Sequence, residues 1–403
     1  MKQYRKSLVV FLAFIIVFEL LVILVGDLAR PSWSHWSDEW HFQNTIKRFG
    51  NEISLYNLKH YEEMSTPLPF LIYALWGRLV GFDLFHLRMF SVIVALLTYV
   101  IFHRLLYVYL KDGLKAFWGA AFLAAQPYMI GLSIFVFTDM MAILLLLVTL
   151  YAHVKRKALL FGVFMALAIL SRQYLAFLTL AAGIYYAVEF AHSRGKQSIR
   201  MLLACVISAI PFALLALWWG GPTPANTLQL RYLDYGFVYH AFALSLYICL
   251  IVIYLFPLIL VSLRRLYTDY RILVAALVGS AYYFIFPVQP TQPTINVDIA
   301  TVGLFHRLLK ATLGGEMLIH SVFYVCFLLA MPVVIHLLVD CYLRLRRRIL
   351  DRQFYLDLAI ISFFFVMPFS YLSWEKYFMP AVPLFVLRAA MAQWQTTGSA
   401  EDN

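Results

Sequence analysis

The stretch T-D-M-M-A-I-L-L-L-L-V-T-L-Y-A-H-V-K-R-K-A-L-L-F-G-V-F-M-A-L-A-I-L-S-R, residues 138–172, decides the fold class of this chain. It consists of two apolar runs, 138–154 and 158–171, on either side of a basic K-R-K triplet at 155–157. Basic residues between long apolar runs are typical of a helical hairpin that turns at a membrane surface. The stretch therefore predicts two helices in a membrane rather than part of a soluble core.

The composition of the whole chain repeats this pattern. The chain has 403 residues, of which 63% are hydrophobic and 13% are charged, and its mean hydropathy is +0.79. A soluble domain is about half apolar and about a quarter charged, so this chain has too few charges to cover a soluble surface. Apolar runs of about 18 to 25 residues recur to the C-terminus, and each is long enough to cross a hydrocarbon core of about 30 Å. The composition excludes a soluble globular protein and predicts an all-α polytopic membrane protein.

We interpret twelve apolar runs as membrane spans. They cover residues 7–26, 87–110, 116–135, 138–154, 158–171, 174–191, 201–220, 241–263, 272–288, 318–343, 354–372 and 377–394. The segment P-L-P-F-L-I-Y-A-L-W-G-R-L-V-G-F at 67–82 is ambiguous, because prolines open it and Arg78 lies near its end. We expect one membrane domain over residues 1–395 and a short disordered tail at 396–403.

The positions of Lys and Arg resolve this ambiguity and give the orientation. Six clusters between the apolar runs and at the N-terminus hold 19 of the 32 Lys and Arg residues. If 67–82 does not span, all six clusters fall on the cytoplasmic side, as the positive-inside rule requires. We therefore expect 67–82 to be an interfacial helix within a first outer loop at 27–87, and two further outer loops at 221–240 and 289–316. The net charge of +11 then reflects orientation, and no nucleic acid is expected as a partner.

The first outer loop carries the most distinctive polar stretch, S-W-S-H-W-S-D-E-W-H-F at 32–42. Asp38 and Glu39 are adjacent, so their repulsion favours a retained proton on one of them, which suits a general base. The neighbouring tryptophans suit either sugar stacking or anchoring at the membrane interface. The alternatives are an aromatic belt with a solvated acidic turn, or a metal site formed by His35, Asp38 and His41, whose spacing a helical turn partly aligns.

Other charged residues fall at the outer ends of predicted spans. Arg88, Asp139 and the pair Arg172-Gln173 lie there, and Glu375 and Lys376 form a short outer turn. Each alone is explained by a side chain that reaches the interface. Together, an acidic residue and several basic ones on one face suit holding a phosphate and activating a hydroxyl. Further candidates in the other outer loops are Arg231, Asp234, His306, Arg307 and Lys310.

Several classes of chemistry lack a motif in this chain. No G-x-x-x-x-G-K-[ST], G-x-G-x-x-G, G-x-S-x-G or H-E-x-x-H occurs, so nucleotide-driven transport and serine hydrolysis have no support. The four cysteines lie in or beside apolar runs without a C-x-x-C pair, which argues against disulfides and structural zinc. A substrate would then reach the site from the membrane or from the outer compartment.

Six short motifs, in order along most of the chain, resemble those of the GT-C glycosyltransferases, which are membrane enzymes that use polyprenyl-phosphate sugars. The details are most similar to the dolichyl-phosphate-glucose-dependent α-1,2-glucosyltransferases. The matching stretches are D-E-W-H at 38–41, T-P-L-P-F-L-I-Y at 66–73, L-R-M-F-S at 87–91, F-T-D at 137–139, S-R-Q-Y at 171–174 and E-K-Y-F-M-P at 375–380.

The resemblance implies a GT-C-like fold and an inverting hexose transfer, with glucose favoured, to a glycan or lipid-linked acceptor. It implies Asp38 as the catalytic base with Glu39 beside it. Contacts to the donor phosphate would come from Arg172, Gln173 and Lys376. Residues that would position the acceptor or the loop are His35, His41, Arg88, Asp139 and Glu375. The expected partners are the polyprenyl-phosphate sugar, the acceptor and membrane lipid, with no cofactor, although the two histidines leave metal binding open.

The sugar, the acceptor and the compartment also stay open. A bacterial or archaeal plasma membrane with the site outside fits as well as an endoplasmic reticulum membrane with the site in the lumen. A transporter or flippase of lipid-linked intermediates is the alternative function, and Glu19 within the first span and the prolines within later spans favour it slightly. A non-catalytic membrane scaffold is a third interpretation.

Overall fold

A computed structural model of the chain describes residues 2–25, 35–227, 238–262, 264–292, 295 and 300–398. Every regular element in these ranges is a helix, which confirms the predicted all-α class. Seven helices are long and apolar enough to cross a membrane: Tyr4–Val25, Leu84–Leu110, Gln173–Ser193, Lys196–Trp219, Ala241–Val261, Glu316–Arg347 and Arg352–Phe369. The chain is therefore a multi-pass membrane protein.

The remaining predicted spans are shorter or broken. The predicted span 116–135 is two helices, Gly113–Ala124 and Pro127–Ile134, that meet at an angle of 77°. Proline disfavours helical geometry in the residue before it, and Gln126 is accordingly extended, with φ −65° and ψ 134°. Five further apolar helices are 10–17 residues long: Leu68–Val80, Asp139–Val154, Ala158–Ser171, Tyr270–Ile285 and Val382–Met391. The number of twelve spans and the GT-C fold stay predictions.

The helices group into two compact units. The first unit comprises Met1–Thr179 and Phe190–Leu230, and the second comprises Leu180–Glu189 and Arg231–Asn403. The principal helices that begin in the first unit are α1 (Lys2–Val25), α2 (Glu39–Asn51), α3 (Leu55–His60), α4 (Leu68–Val80), α5 (Leu84–Leu110), α6 (Gly113–Ala124), α7 (Pro127–Ile134), α8 (Asp139–Val154), α9 (Ala158–Ser171), α10 (Ala176–Ser193) and α11 (Lys196–Trp219). The middle of α10 belongs to the second unit.

The principal helices of the second unit are α12 (Ala241–Ser262), α13 (Tyr270–Gly279), α14 (Ala281–Ile285), α15 (Leu304–Leu313), α16 (Glu316–Arg347), α17 (Arg352–Val366) and α18 (Val382–Gly398). In this unit α12 packs against α16 and α18, and α17 packs against both of those helices. Residues 399–403 of the predicted tail lie outside the described residues. A single domain over 1–395 stays a prediction.

The hairpin predicted from residues 138–172 is confirmed. Helices α8 and α9 pack against each other. Helix α8 ends directly before the basic triplet, and α9 begins directly after it. Helix α9 also packs closely against α11. The absence of a side chain on Gly162 permits this contact, since a Cβ atom there would lie 3.2 Å from the Cβ atom of Ala204. The hairpin brings the start of α8 and the end of α9 to the same end of the first unit.

Helices α2 and α4 form a rigid pair built around one aromatic ring. Phe82 lies between Gly50 of α2 and Gly77 of α4, where added Cβ atoms would lie 2.2 Å and 2.4 Å from its ring. Arg78 donates through Nε to the Gly50 carbonyl at 2.7 Å, and Gln43 donates to the Phe82 carbonyl at 2.8 Å. The glycines allow the close approach that fixes the direction of α2, which begins at the acidic pair.

Candidate functional site

The first unit contains eight of the ten site residues predicted from the sequence. They are His35, Asp38, Glu39, His41, Arg88, Asp139, Arg172 and Gln173. The other two, Glu375 and Lys376, belong to the second unit. Two further candidates, Arg231 and Asp234, lie outside the described residues.

Glu39 forms a buried ion pair with Arg88. Oε1 of Glu39 accepts from Nε of Arg88 at 3.0 Å, and Oε2 accepts from Nη2 at 2.5 Å. The same carboxylate accepts from the backbone N–H groups of Val136, at 2.9 Å, and Trp36, at 2.8 Å. Glu39 is fully buried, and Arg88 is 5% exposed. This bidentate pair fastens the start of α2 to α5 and to the segment before α8.

Aromatic rings cover the Arg88 guanidinium and extend to the surface. The Cζ atom of Arg88 lies 5.1 Å from the centroid of the Phe135 ring, and Trp36 stacks on Phe135 with centroids 5.6 Å apart and planes 8° apart. Trp36 and Trp40 remain 63% and 57% exposed. Two exposed indoles thus flank Asp38 in the sequence and offer flat surfaces to a membrane or to a sugar ring.

Asp38 has the opposite environment to Glu39. Its side chain is 44% exposed, and Oδ1 lies 3.6 Å from Nε2 of His41. Ser37 precedes it in a left-handed conformation, with φ 53°, and donates through Oγ to Oδ1 at 3.4 Å. Because the Glu39 charge is balanced by Arg88, the two adjacent carboxylates do not share one site. The member of the pair that solvent reaches is Asp38.

The two histidines of the first loop contact different partners. His35 is 2.7 Å from Oε1 of Gln43, whereas Nδ1 of His41 is 2.9 Å from Oε1 of Glu63. Burial lowers the pKa of His41, but its contacts with the Asp38 and Glu63 carboxylates raise this pKa to about 9. Within the described part of the chain, no group of three or more His, Cys, Asp or Glu side chains is arranged to hold a metal ion.

Glu63 is a site residue that the sequence analysis missed. It lies between α3 and α4, is 3% exposed, and accepts from Oγ1 of Thr45 at 2.8 Å as well as contacting His41. It is 22 residues from His41, so no helical or strand spacing connects the two. The only signal is a Glu-Glu pair at 62–63 in the same polar loop as Asp38.

Asp139 and Arg172 meet at the open end of the helical hairpin. Nη2 of Arg172 is 2.8 Å from Oδ2 of Asp139, and the Tyr174 hydroxyl donates to Oδ1 at 3.3 Å. Both side chains of the pair are buried, at 1% and 9% exposure. Gln173 donates to the Met64 carbonyl at 2.5 Å. The structure thus brings Asp139 and Arg172 into contact, whereas a contact of Arg172 and Gln173 with a phosphate stays a prediction.

In the second unit, Glu375 is a buried cap rather than part of a solvated turn. Its carboxylate accepts from the backbone N–H groups of Phe305 and His306, at 3.0 Å and 3.1 Å, and from the Tyr254 hydroxyl at 2.9 Å. A carboxylate at the start of a helix is favoured by the helix dipole. Glu375 therefore holds the N-terminus of α15, whereas a role in positioning the acceptor stays a prediction.

Three basic side chains, Arg307, Lys310 and Lys376, belong to the two segments that this cap joins. The Cζ atom of Arg307 lies 5.5 Å from the Trp374 ring, and Nζ of Lys376 lies 5.9 Å from the Tyr377 ring. Lys310 donates to the Ala300 carbonyl at 2.9 Å and lies 3.4 Å from Glu316. Burial and, to a smaller extent, Lys310 lower the pKa of His306 to about 4.

Comparison with known proteins finds no matching protein-family model, no significantly similar curated protein and no significantly similar solved structure. The resemblance to the GT-C glycosyltransferases therefore rests on the six short motifs quoted above.

Proposed function

We propose that this protein is a membrane glycosyltransferase with Asp38 as its general base. It transfers a hexose, with glucose favoured, from a polyprenyl-phosphate donor to a glycan or lipid-linked acceptor, and it inverts the anomeric configuration. The observation that carries the proposal is a half-exposed Asp38 held on a rigid support by the buried Glu39–Arg88 pair. Asp38 is the first residue before α2, and α2 is itself locked to α4.

The proposed reaction needs one proton acceptor and one leaving group. Asp38 takes the proton from an acceptor hydroxyl while that oxygen forms a bond to the anomeric carbon of the donor. The bond between the anomeric carbon and the phosphate oxygen breaks, and the polyprenyl phosphate leaves with the electron pair. Attack from the face opposite the phosphate inverts the configuration. Asp38 then releases its proton to water.

The buried carboxylates have supporting roles in this proposal. Glu39 accepts four hydrogen bonds, so it positions Asp38 rather than acting as a second base. Asp139 orients Arg172 in the same way through its own buried ion pair. Contacts of Arg172 and Gln173 with the donor phosphate are carried over from the resemblance. The guanidinium of Arg172 would stabilise the negative charge that grows on the departing phosphate.

The test is sugar transfer by the purified chain in detergent. A panel of polyprenyl-phosphate sugars is offered with membrane lipid extract as the source of acceptor, and the D38N variant is compared with the wild type. Loss of a general base is expected to lower the rate by about 10²–10⁴-fold. The matched control is E62Q, because Glu62 is an exposed carboxylate of the same loop. Full activity of D38N would refute the mechanism.

A broken helix favours the second candidate function, a transporter or flippase of lipid-linked intermediates. Helices α6 and α7 meet at 77°, and Glu19 of α1 accepts from Oγ of Ser133 in α7 at 3.0 Å. Buried ionisable groups beside broken helices are common at transport sites. This function would be favoured if a lipid-linked sugar crosses the membrane of proteoliposomes, E19Q abolishes that movement, and no donor supports sugar transfer.

A further inference from the structure

His41 lies between two carboxylates that come from different parts of the first unit. Its Nδ1 is 2.9 Å from Oε1 of the buried Glu63, and its Nε2 is 3.6 Å from Oδ1 of the half-exposed Asp38. The rings of Trp40 and Phe42 lie against His41 edge to face, with centroids 5.3 Å and 4.6 Å away. These rings carry no charge, so the electrostatics of His41 are set by the two carboxylates.

The arrangement favours the charged form of His41. A ring whose two nitrogens both face carboxylates makes two favourable contacts only when both nitrogens carry hydrogen. Burial of the ring lowers the pKa of His41, and the contacts with Asp38 and Glu63 outweigh this effect and raise the pKa to about 9. At neutral pH the side chain is therefore an imidazolium that bridges the two acids.

We propose that Glu63 and His41 are positioning residues that hold Asp38 ionised and oriented for its work as a base. Glu63 fixes the imidazolium through Nδ1, and Nε2–H then faces the Asp38 carboxylate. His41 keeps its proton throughout the reaction, and the proton taken from the acceptor hydroxyl resides on Asp38 until water removes it. The inference rests on the proposed function, since it assigns regulation by pH to the same base.

Deprotonation of His41 has a defined structural consequence. The remaining hydrogen stays on Nδ1, where Glu63 accepts it at 2.9 Å, so the lone pair of Nε2 turns toward the Asp38 carboxylate. Two facing acceptors repel, and Asp38 loses its orientation. Transfer should therefore fall as the pH rises through about 9, the pKa of His41. At acidic pH, the charged imidazolium favours the ionised form of the neighbouring Asp38 carboxylate.

The first test follows the ionisation of His41 directly and needs no transfer activity. The full chain is labelled with ¹⁵N-histidine, the His41 resonances are assigned by their loss in H41Q, and the ring ¹⁵N shifts are measured against pH. We expect a midpoint near pH 9 in the wild type. In E63Q and in D38N, the midpoint should fall by about 1 pH unit or more. The E62Q control, an exposed neighbour with the same change of charge, should leave it unchanged.

The second test measures transfer against pH in the same variants. We expect E63Q to move the alkaline limb of kcat/KM down by about 1 pH unit, and H41Q to raise the acidic limb by about 1 pH unit. A wild-type midpoint near the ordinary histidine pKa of about 6.5 would overturn the inference, as would an E63Q midpoint equal to that of the wild type.

The two tests separate the inference from the proposed function. If D38N abolishes transfer but E63Q leaves both the His41 midpoint and the alkaline limb in place, the base is correct and the inference is wrong. If the His41 midpoint shifts as expected but D38N transfers normally, His41 does bridge Asp38 and Glu63. The role of this bridge in catalysis is then overturned together with the proposed base.

Discussion

Replacing Arg88 with Met should destabilise the first unit strongly, because it leaves the Glu39 carboxylate buried without its cation. Glu39 is fully buried, and the variant removes two of the four hydrogen bonds that it accepts. Loss of one partner of a buried ion pair costs about 3–5 kcal/mol. For a unit of about 150–250 residues, at about 2–4 °C per kcal/mol, the melting midpoint should fall by roughly 6–20 °C.

The assay is thermal unfolding of the purified chain in detergent, with R200M as the control. Arg200 is an exposed residue of α11 in the same unit, so its replacement should change stability by no more than about 0.5 kcal/mol. The double variant E39Q/R88M removes both charges and should be less destabilised than the sum of the two single variants. An R88M melting midpoint equal to that of R200M would refute this account of the buried pair. A double variant destabilised by the full sum of the two single variants would also refute it.

Two further predictions concern other parts of the molecule. G50A should destabilise the α2–α4 pair by about 1–3 kcal/mol in thermal unfolding, because the new Cβ atom would lie 2.2 Å from the Phe82 ring. The control is G131A, which should not destabilise the chain in this way, because the nearest atom to its Cβ would lie 3.7 Å away. Burial lowers the pKa of His306 to about 4, so between about pH 6.5 and 4 the unfolded chain binds more protons than the folded chain. The free energy of unfolding should therefore decrease as the pH is lowered through this range. Melting midpoints measured across this range should depend less on pH in H306Q, and an unchanged dependence would contradict the assignment.

Much of the site could be located from the sequence, but the roles of its members could not. Asp139 and Arg172 were expected at one surface because each ends an apolar run of the same hairpin, and they do meet, 2.8 Å apart. Asp38 and Glu39 are equivalent in the sequence, whereas in the structure one is 44% exposed and the other is buried on Arg88. Adjacent residues at the start of a helix point in different directions, and only the packed neighbours determine which one meets solvent.

The sequence by itself determined that this protein is an all-α multi-pass membrane protein, because hydropathy and charge are properties of each segment alone. Tertiary structure decided the partners of each polar group. Glu63 approaches His41 across 22 residues, and Glu375 reaches the start of α15 about 70 residues earlier in the chain. Such contacts depend on how helices pack, and packing is governed by the shapes of many side chains together. For the same reason the 77° break at Pro127 and the length of each helix emerged only from the folded chain.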